Sequence, residues 1–563
     1  MSIDLAVVII YLLATTVLGI SVAKKVTSSA SFFISDRSFG KGMMTLFAFG
    51  TGTNTDQAVS VASKTYNVGA SGIWYQWLWL PATPFYWLLA PLFRRMRAVT
   101  TSDYLSVRFG PSVAVLFAVV GMAQISVNIG VVLKATSVMI TPVSGGAIGS
   151  DTAIVGMTLL FVAYGVVGGL AAAIVTDAVQ GVLTVLLSFL ILPFALNAVG
   201  GFDQLRSSIA DPSAFDIVAP GEITLLYIII IAINALIGWV ASPQSMQMCG
   251  AGKSESVARV GFVGGMLLKR VCTVAWVLTG MCAIALYAGT NVNADHVYGL
   301  MARDLLPTIA PGLLGLFIAS MLAAVMSSCD ALMISASALF TENIYKPFFR
   351  PGRKDRHYVL VGRIASVAVV LGGVSVAFGL SGVVEGLELF WQVQAMMGVA
   401  IWASFFWRRA TAAGAWASTL TGFAALAFLN DISIVGWSFD AAFAHTLPGF
   451  MLFEGGLSLP WQMIIYLSLS VSVMIVVSAL TRPQDEKTLD RVYTCLRTPV
   501  QPGEAEVEPV TLPENTAPAP RTVLIDHPDF EIMTPSRESV VGFLVTWLIV
   551  VALIGIFVWI IRY

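Results

Sequence analysis

Apolar runs of about 20 residues, each long enough to cross the hydrocarbon core of a bilayer as a helix, recur along almost the whole chain. They fall near 4–23, 42–63, 71–93, 112–141, 151–172, 175–198, 222–244, 271–289, 310–342, 357–380, 385–407, 411–429, 461–481 and 540–561, fourteen in all. With 57% hydrophobic and 11% charged residues, the chain has too little polar surface to cover a large water-soluble protein. In lipid every backbone group must pair inside its own segment, so the expected fold is an all-α integral membrane protein of about 14 helices. The first run follows Met1-Ser2-Ile3-Asp4 and has no basic leader and no small-residue cleavage site before Lys24, so it reads as a retained span.

Charge sets the expected orientation, because basic residues favour the cytoplasmic face. With the N-terminus outside, the loops at 24–41, 94–108, 253–270, 346–363, 408–409 and 482–537 hold 26 of the 31 Lys and Arg residues. Only Lys64, Arg206, Arg303 and Arg562 fall outside, and Lys134 lies within a run. The expectation is a multi-pass cell-membrane protein with both termini outside. Segment 482–537, which contains "PGEAEVEPVTLPENTAPAP", reads as a flexible cytoplasmic linker, too short and too polar for a signalling domain.

The five cysteines at 249, 272, 282, 329 and 495 show no metal-type spacing and read as small apolar packers. The four histidines, His296, His357, His445 and His527, fall in or beside loops, and no nucleophile–base arrangement is visible, so an enzyme is not expected. Beyond the bilayer and a small solute, nothing calls for a nucleic acid or an obligatory protein partner.

Two runs look interrupted. The second contains "FGTGTNTDQAVS" (49–60) and the seventh "IGWVASPQS" (237–245), where glycines and Pro243 weaken the helix in mid-membrane. Unwound backbone at that depth is tolerated only where it is buried or lines a cavity. Paired breaks in two halves of a chain point to a transporter's binding site. Runs two to six and seven to eleven each begin with a break and each have an unusually long third member, which predicts a five-plus-five inverted repeat. The expected organisation is a leading helix and loop (1–40), first repeat (41–200), second repeat (201–410), two peripheral helices (411–481), the linker (482–537) and a last helix (538–563).

Within the 310–342 run, "AAVMSSCDAL" (323–332) is polar where lipid or core is expected. Ala324, Ser327 and Ser328 share one helix face, so two hydroxyls and a carbonyl converge there. Na⁺ is a hard cation and takes such neutral oxygens. Asp330 lies one turn below Ser327, and an intramembrane carboxylate is a functional candidate by default. Asp56, at the first break, is a candidate to orient substrate or to cap freed amides. Lys134 has three readings: a pair with Asp56, an outward snorkel, or a substrate carboxylate partner.

"GGLAAAIVTDAVQG" (168–181), "TTSDYLSVRFG" (100–110), "AAVMSSCDAL" with "LFTENIYKPF" (339–348), and "FFWRRATAAGA" (405–415) together resemble the sodium/solute symporters, which include sodium/glucose, sodium/proline and sialic acid carriers. The resemblance runs from about residue 4 to 430 and implies a LeuT-type core and Na⁺ as coupling ion. It implies a main Na⁺ site of Ala324, Ser327 and Ser328 with two carbonyls at the first break, best matched by Asn54 and Gln57. It also implies a second ion or proton site at Asp177 and Asp330, although relatives carry small hydroxyl or thiol residues where this chain has Asp330-Ala331. In "GIWYQWLWL" (72–80), Gln76 and Trp77 stand where the sugar carriers have a Glu-Trp pair, and interface anchoring is the competing reading. Lys269 resembles a lysine used near substrate, against the alternative that it snorkels beside Arg270; Gln392 and Gln394 are further candidates.

These readings predict a sodium-coupled secondary symporter that imports a sugar, amino acid or carboxylate by alternating access. A proton-coupled carrier of the same fold and a non-transporting membrane solute sensor are the alternatives.

Overall fold

A computed structural model describes residues 2–23, 39–219, 222–430, 437–501, 503–504 and 507–563, with the side chains of 2, 19–23 and 163–173 left undescribed. The basic residues Lys24, Lys25 and Arg37, and the side chains of motif residues 168–173, therefore lie outside the described residues. The protein is mostly helical. The first half contains α1 (Ser2–Ala23), α2 (Lys41–Thr51), α3 (Thr55–Val68), α4 (Thr83–Arg95), α5 (Pro111–Val143) and α6 (Ser150–Leu190). The second half contains α7 (Leu225–Trp239), α8 (Gln244–Gly250), α9 (Glu255–Leu286), α10 (Leu313–Phe340), α11 (Asp355–Gly379), α12 (Val383–Ala395) and α13 (Gly398–Phe406). Helices α14 (Ala412–Leu429), α15 (Leu459–Leu480), α16 (Glu486–Arg497) and α17 (Arg537–Arg562) follow.

Among the described residues nine helices are long and apolar enough to cross a membrane, or ten if the bent pair α7–α8 is one span. The expected fourteen runs do not map one to one onto these. Runs five and six form the single 41-residue α6, because no proline or charge interrupts the chain between Asp151 and Asp177. At 1.5 Å per residue such a helix is about 60 Å long, twice the thickness of a hydrocarbon core.

Both expected breaks are present. The chain leaves helical geometry between α2 and α3, where Gly52 caps α2 and Asn54 is extended (φ −120°, ψ 173°). Between α7 and α8 the axis turns by 72°, with Pro243 at the start of α8. Helix α10 is the most enclosed of the candidate spans and packs against α1, α6 and α11.

Close approach holds the first break against α9. An added Cβ at Gly261 would lie 2.5 Å from Met44 Cβ, and one at Gly265 would lie 2.7 Å from the Phe49 amide nitrogen. These glycines are four apart and so form one stripe down α9, the small-residue pattern that lets membrane helices touch. Lys269 is the next position on that stripe.

Segment 482–537 is packed where a flexible linker was expected. Its helix α16 is capped by Asp485, whose carboxylate accepts from the Thr488 amide at 2.9 Å. Leu489, Val492, Tyr493 and Leu496 form its buried face. The segment then ties itself to the bundle end that carries Arg97 and Arg408. Arg97 pairs with Glu504 at 2.5 Å with both side chains nearly enclosed, Arg408 pairs with Asp490 at 2.6 Å and Glu531 at 2.8 Å, and the Val510 amide donates to the Met96 carbonyl at 2.9 Å. The bulk composition is polar, but the i, i+3, i+4, i+7 spacing of those four apolar residues supplies a buried stripe.

Candidate functional site

Freed backbone at the α2–α3 break faces the polar stretch of α10. The Ser328 hydroxyl lies 3.2 Å from the carbonyls of both Gly50 and Thr51 and also meets Asn54 Oδ1. Gly50 fits closely here, since a Cβ there would sit 3.0 Å from Ser327 Oγ and 3.3 Å from the Asp177 carbonyl. Ala324, Ser327 and Ser328 are fully buried, as the shared face requires.

The register differs from the expectation. The Asn54 carbonyl already accepts from the Gln57 amide at 3.3 Å and the Gln57 carbonyl from Ser60 Oγ at 3.3 Å, so both are engaged in the first turn of α3. The carbonyls that face Ser328 come from Gly50 and Thr51, at the end of α2. Asn54 contributes its side-chain oxygen, and Gln57 folds its side-chain amide back onto the Gly52 carbonyl at 3.1 Å. A sequence shows where a helix breaks, but not which side of the break turns its carbonyls outward.

Asp177 and Asp330 are brought together by the packing of α6 on α10. Thr51 Oγ1 donates to Asp177 Oδ2 at 3.4 Å, while Asp177 Oδ1 and Asp330 Oδ1 are buried with no hydrogen-bond partner among the described residues. Tyr11 lies beside the pair and accepts from Gln180 Nε2 at 3.2 Å, so the Thr-Asp motif and the first helix close one side of it.

On the other side of the break is a cavity of about 90 Å³, whose lining includes Asp56, Gln57, Lys269, Trp79, Gln244 and Gln394. Lys269 does not snorkel: it is 5% exposed, donates to the Gly52 carbonyl at 2.6 Å and sits 5.3 Å from the Trp79 ring. It is also the basic neighbour of Asp56, the place that one reading gave to Lys134. Asp56 Oδ1, Gln57 Oε1 and the hydroxyls of Thr53 and Thr55 are buried without hydrogen-bond partners among the described residues. Such groups are costly unless something pairs with them, so they mark a place built to receive a polar ligand.

Sequence reasoning missed the aromatic wall of this cavity. Tyr86 and Trp239 lie 4.4 Å apart, and Trp239 stacks on Phe262 at 4.7 Å. Trp239 falls inside the second broken segment, and its position beside Pro243 was the available signal.

Other expected residues lie elsewhere. Trp77 donates its indole N–H to the Arg270 carbonyl at 3.1 Å and packs edge-on against Phe557, away from the cavity. The Gln76 carbonyl accepts from Arg270, and its buried side-chain amide has no partner among the described residues. Lys134 is half-buried and does not line the Asp56 cavity. Gln392 donates to Gln462 at 2.9 Å in a separate, wider vestibule of about 1,330 Å³ that also includes Lys64, Glu222, Tyr75 and Glu388. Trp391 stands between the two spaces, 5.3 Å from the Tyr75 ring and 6.0 Å from that of Trp79.

Comparison with known proteins identifies the family. The model of the sodium:solute symporter family matches residues 32–422. The chain is 26% identical over 457 residues to a sodium/glucose cotransporter of Vibrio parahaemolyticus, covering 73% of this chain and 82% of that one. It is 25% identical over 456 residues to a high-affinity proline transporter of Bacillus subtilis, covering 77% and 92%. The solved structure of a Na⁺-coupled sialic acid symporter in a substrate-bound outward-open state superposes with a TM-score of 0.69 at 19% identity, over 86% of this chain and 99% of that one, and therefore shares its fold. The chain belongs to the sodium:solute symporter family, whose members are membrane transporters and not enzymes.

Proposed function

We propose that the protein imports a small polar organic solute together with Na⁺, and that the ion sits between the first break and α10. The observation that carries this reading is the Ser328 hydroxyl facing the Gly50 and Thr51 carbonyls, beside Ser327 and Ala324. Oxygen donors without charge suit a monovalent hard cation that must bind and leave in every cycle. Na⁺ there would tie α2 to α10 and favour the state in which the neighbouring cavity accepts solute, which is coupling by differential stabilisation of one state. Moving one charge inward through 100 mV contributes about 2.3 kcal/mol beyond the concentration gradient.

The solute site in this reading is the Asp56–Lys269 cavity. Buried acidic and basic side chains, side-chain amides and a wall of Tyr86, Trp239 and Phe262 suit a compact solute with polar edges and an apolar face. Sugars and amino acids meet that description, and the names of the relatives include both classes. The same proposal includes a five-plus-five inverted repeat and the end bearing Arg97 and Arg408 on the cytoplasmic side. Asp177 and Asp330 are assigned a second cation, because two adjacent buried carboxylates need a cation or a shared proton between them. A charge-to-solute ratio of two or more that drops by one in Asp330→Ser supports the second cation, whereas an unchanged ratio with altered pH dependence assigns a proton.

The test is a binding screen of small polar solutes on the purified protein, each with Na⁺ and with K⁺ at equal ionic strength. A solute that binds more tightly in Na⁺, and whose Na⁺ dependence weakens in Ser328→Ala, supports the reading. Equal affinity in both salts for every bound solute refutes it.

A further inference from the structure

Helices α5 and α11 pack closely and leave a groove at one end of their contact. At the contact, Gly372 and Gly373 let α5 approach so closely that added Cβ atoms would meet Ser126 Oγ at 2.9 Å and Ile129 Cγ2 at 2.6 Å, and Ser126 Oγ donates to the Val369 carbonyl at 3.1 Å. Beyond Ser126 the helices splay and leave a groove of about 700 Å³. Its walls are almost wholly apolar, including Met122, Ala123, Leu360, Ile364 and Ala368, and Phe340 lines it from α10. Leu360 and Ile364 are 55% and 63% exposed, so the groove opens to the surface that a membrane protein gives to lipid.

One end of the groove is polar. Tyr345 and His357 line it there, with the phenol oxygen 3.0 Å from His357 Nε2. A π-helical turn at Thr341–Tyr345 ends α10 at that point, and such turns widen a helix locally. Exposed Phe348 and Phe349 follow at once, as aromatic residues do at a membrane–water interface. Segment 346–363 carries six basic residues and a single acid, Asp355, and Arg350, Arg353, Lys354 and Arg356 are exposed.

An apolar slot that opens sideways and ends in a basic cluster at interface level matches an anionic phospholipid and no soluble solute. We infer that the groove holds one acyl chain of an anionic phospholipid, with the headgroup phosphate on the basic segment 346–363 beside Tyr345 and His357. The volume lies within the ~300–1,000 Å³ of ordinary small-molecule sites. Since α11 packs directly on the ion-binding helix α10, a lipid seated here bears on the helix pair that the transport cycle uses.

The test is native mass spectrometry of the full chain released from nanodiscs of equal phosphatidylglycerol and phosphatidylcholine. The parent protein is expected to retain one phosphatidylglycerol in preference to phosphatidylcholine. Ala368→Phe, at an exposed position on the groove wall, should lose the retained lipid, and Ala123→Phe on the facing helix should do the same. Arg353→Gln with Arg356→Gln should keep a lipid but lower the preference for phosphatidylglycerol about thirtyfold, two surface charges at roughly fivefold each. Equal retention of the two lipids by the parent, or retention and preference unchanged in both the groove-filling and the charge variants, overturns the inference. If filling the groove removes lipid but the charge variant keeps its preference, the headgroup assignment fails.

Discussion

Lys269→Met tests whether Lys269, the basic neighbour of buried Asp56, anchors the first break. Asp56 is 2% exposed and Lys269 5%, so neither charge has water to fall back on. Removing the ammonium leaves the Asp56 carboxylate uncompensated and takes from the Gly52 carbonyl a charge-assisted bond of 2.6 Å. If the two groups act as a pair, breaking it from one side costs about 3–5 kcal/mol, mostly the penalty on the charge left behind. The double variant Asp56→Asn with Lys269→Met removes that charge as well and should recover much of the loss, which places the coupling in the upper half of the ~0.5–3 kcal/mol range for interacting neighbours. Reversible unfolding in mixed micelles, run as a double-mutant cycle on the purified protein, reads this coupling directly. Single-variant losses that simply add, to within about 0.5 kcal/mol, would show that the two groups do not pair and that the break is held by other contacts.

Ser328→Ala should raise the Na⁺ concentration for half-maximal uptake by about 10–100-fold, the equivalent of a ~1.5–3 kcal/mol contact to a charged species, and an unchanged Na⁺ dependence in a folded variant removes Ser328 from the site. Gly261→Leu, which drives a side chain into Met44, should destabilise the protein by roughly 1–3 kcal/mol in the same micelle assay, and a loss below the assay's error would deny the tight α2–α9 seat. Burial alone would raise Glu504, but the hydrogen bond and charge of Arg97 hold its carboxyl below the usual carboxylate range. A depressed folded value means its contribution is fully present above the ordinary pKa of about 4.3 and is lost as pH falls through the lower folded value. Protease access to segment 482–537 should therefore rise on acidification below that range, and Glu504→Gln should open the segment already at neutral pH; equal access in parent and variant at pH 7 would contradict the clamp.

Much of this was legible because bilayer physics leaves few choices. The apolar runs, the two breaks and the polar face of Ala324, Ser327 and Ser328 could be read directly, since each is an exception to a strong rule. The Gly50 and Thr51 carbonyls could not, because backbone oxygens carry no residue identity and their direction depends on how the break unwinds. For Lys269 the neighbour Arg270 kept a snorkelling reading open beside the site reading, whereas its spacing of four from Gly265 and Gly261 places it on the face against α2. Segment 482–537 was misjudged from average composition, which hid the apolar stripe of α16 among prolines and glutamates. Runs five and six fall within one helix, because Gly165, Gly168 and Gly169 between them weaken a helix but no proline ends it.

Solute uptake into vesicles under an imposed inward Na⁺ gradient, against an equal K⁺ gradient and against a proton gradient alone, is the most direct test of coupling between the broken helix and α10. Transient accumulation above equilibrium only with inward Na⁺, enhanced by an inside-negative potential, is the predicted result. Accumulation driven equally well by the proton gradient without Na⁺, or equilibration at the same rate in K⁺, would contradict it.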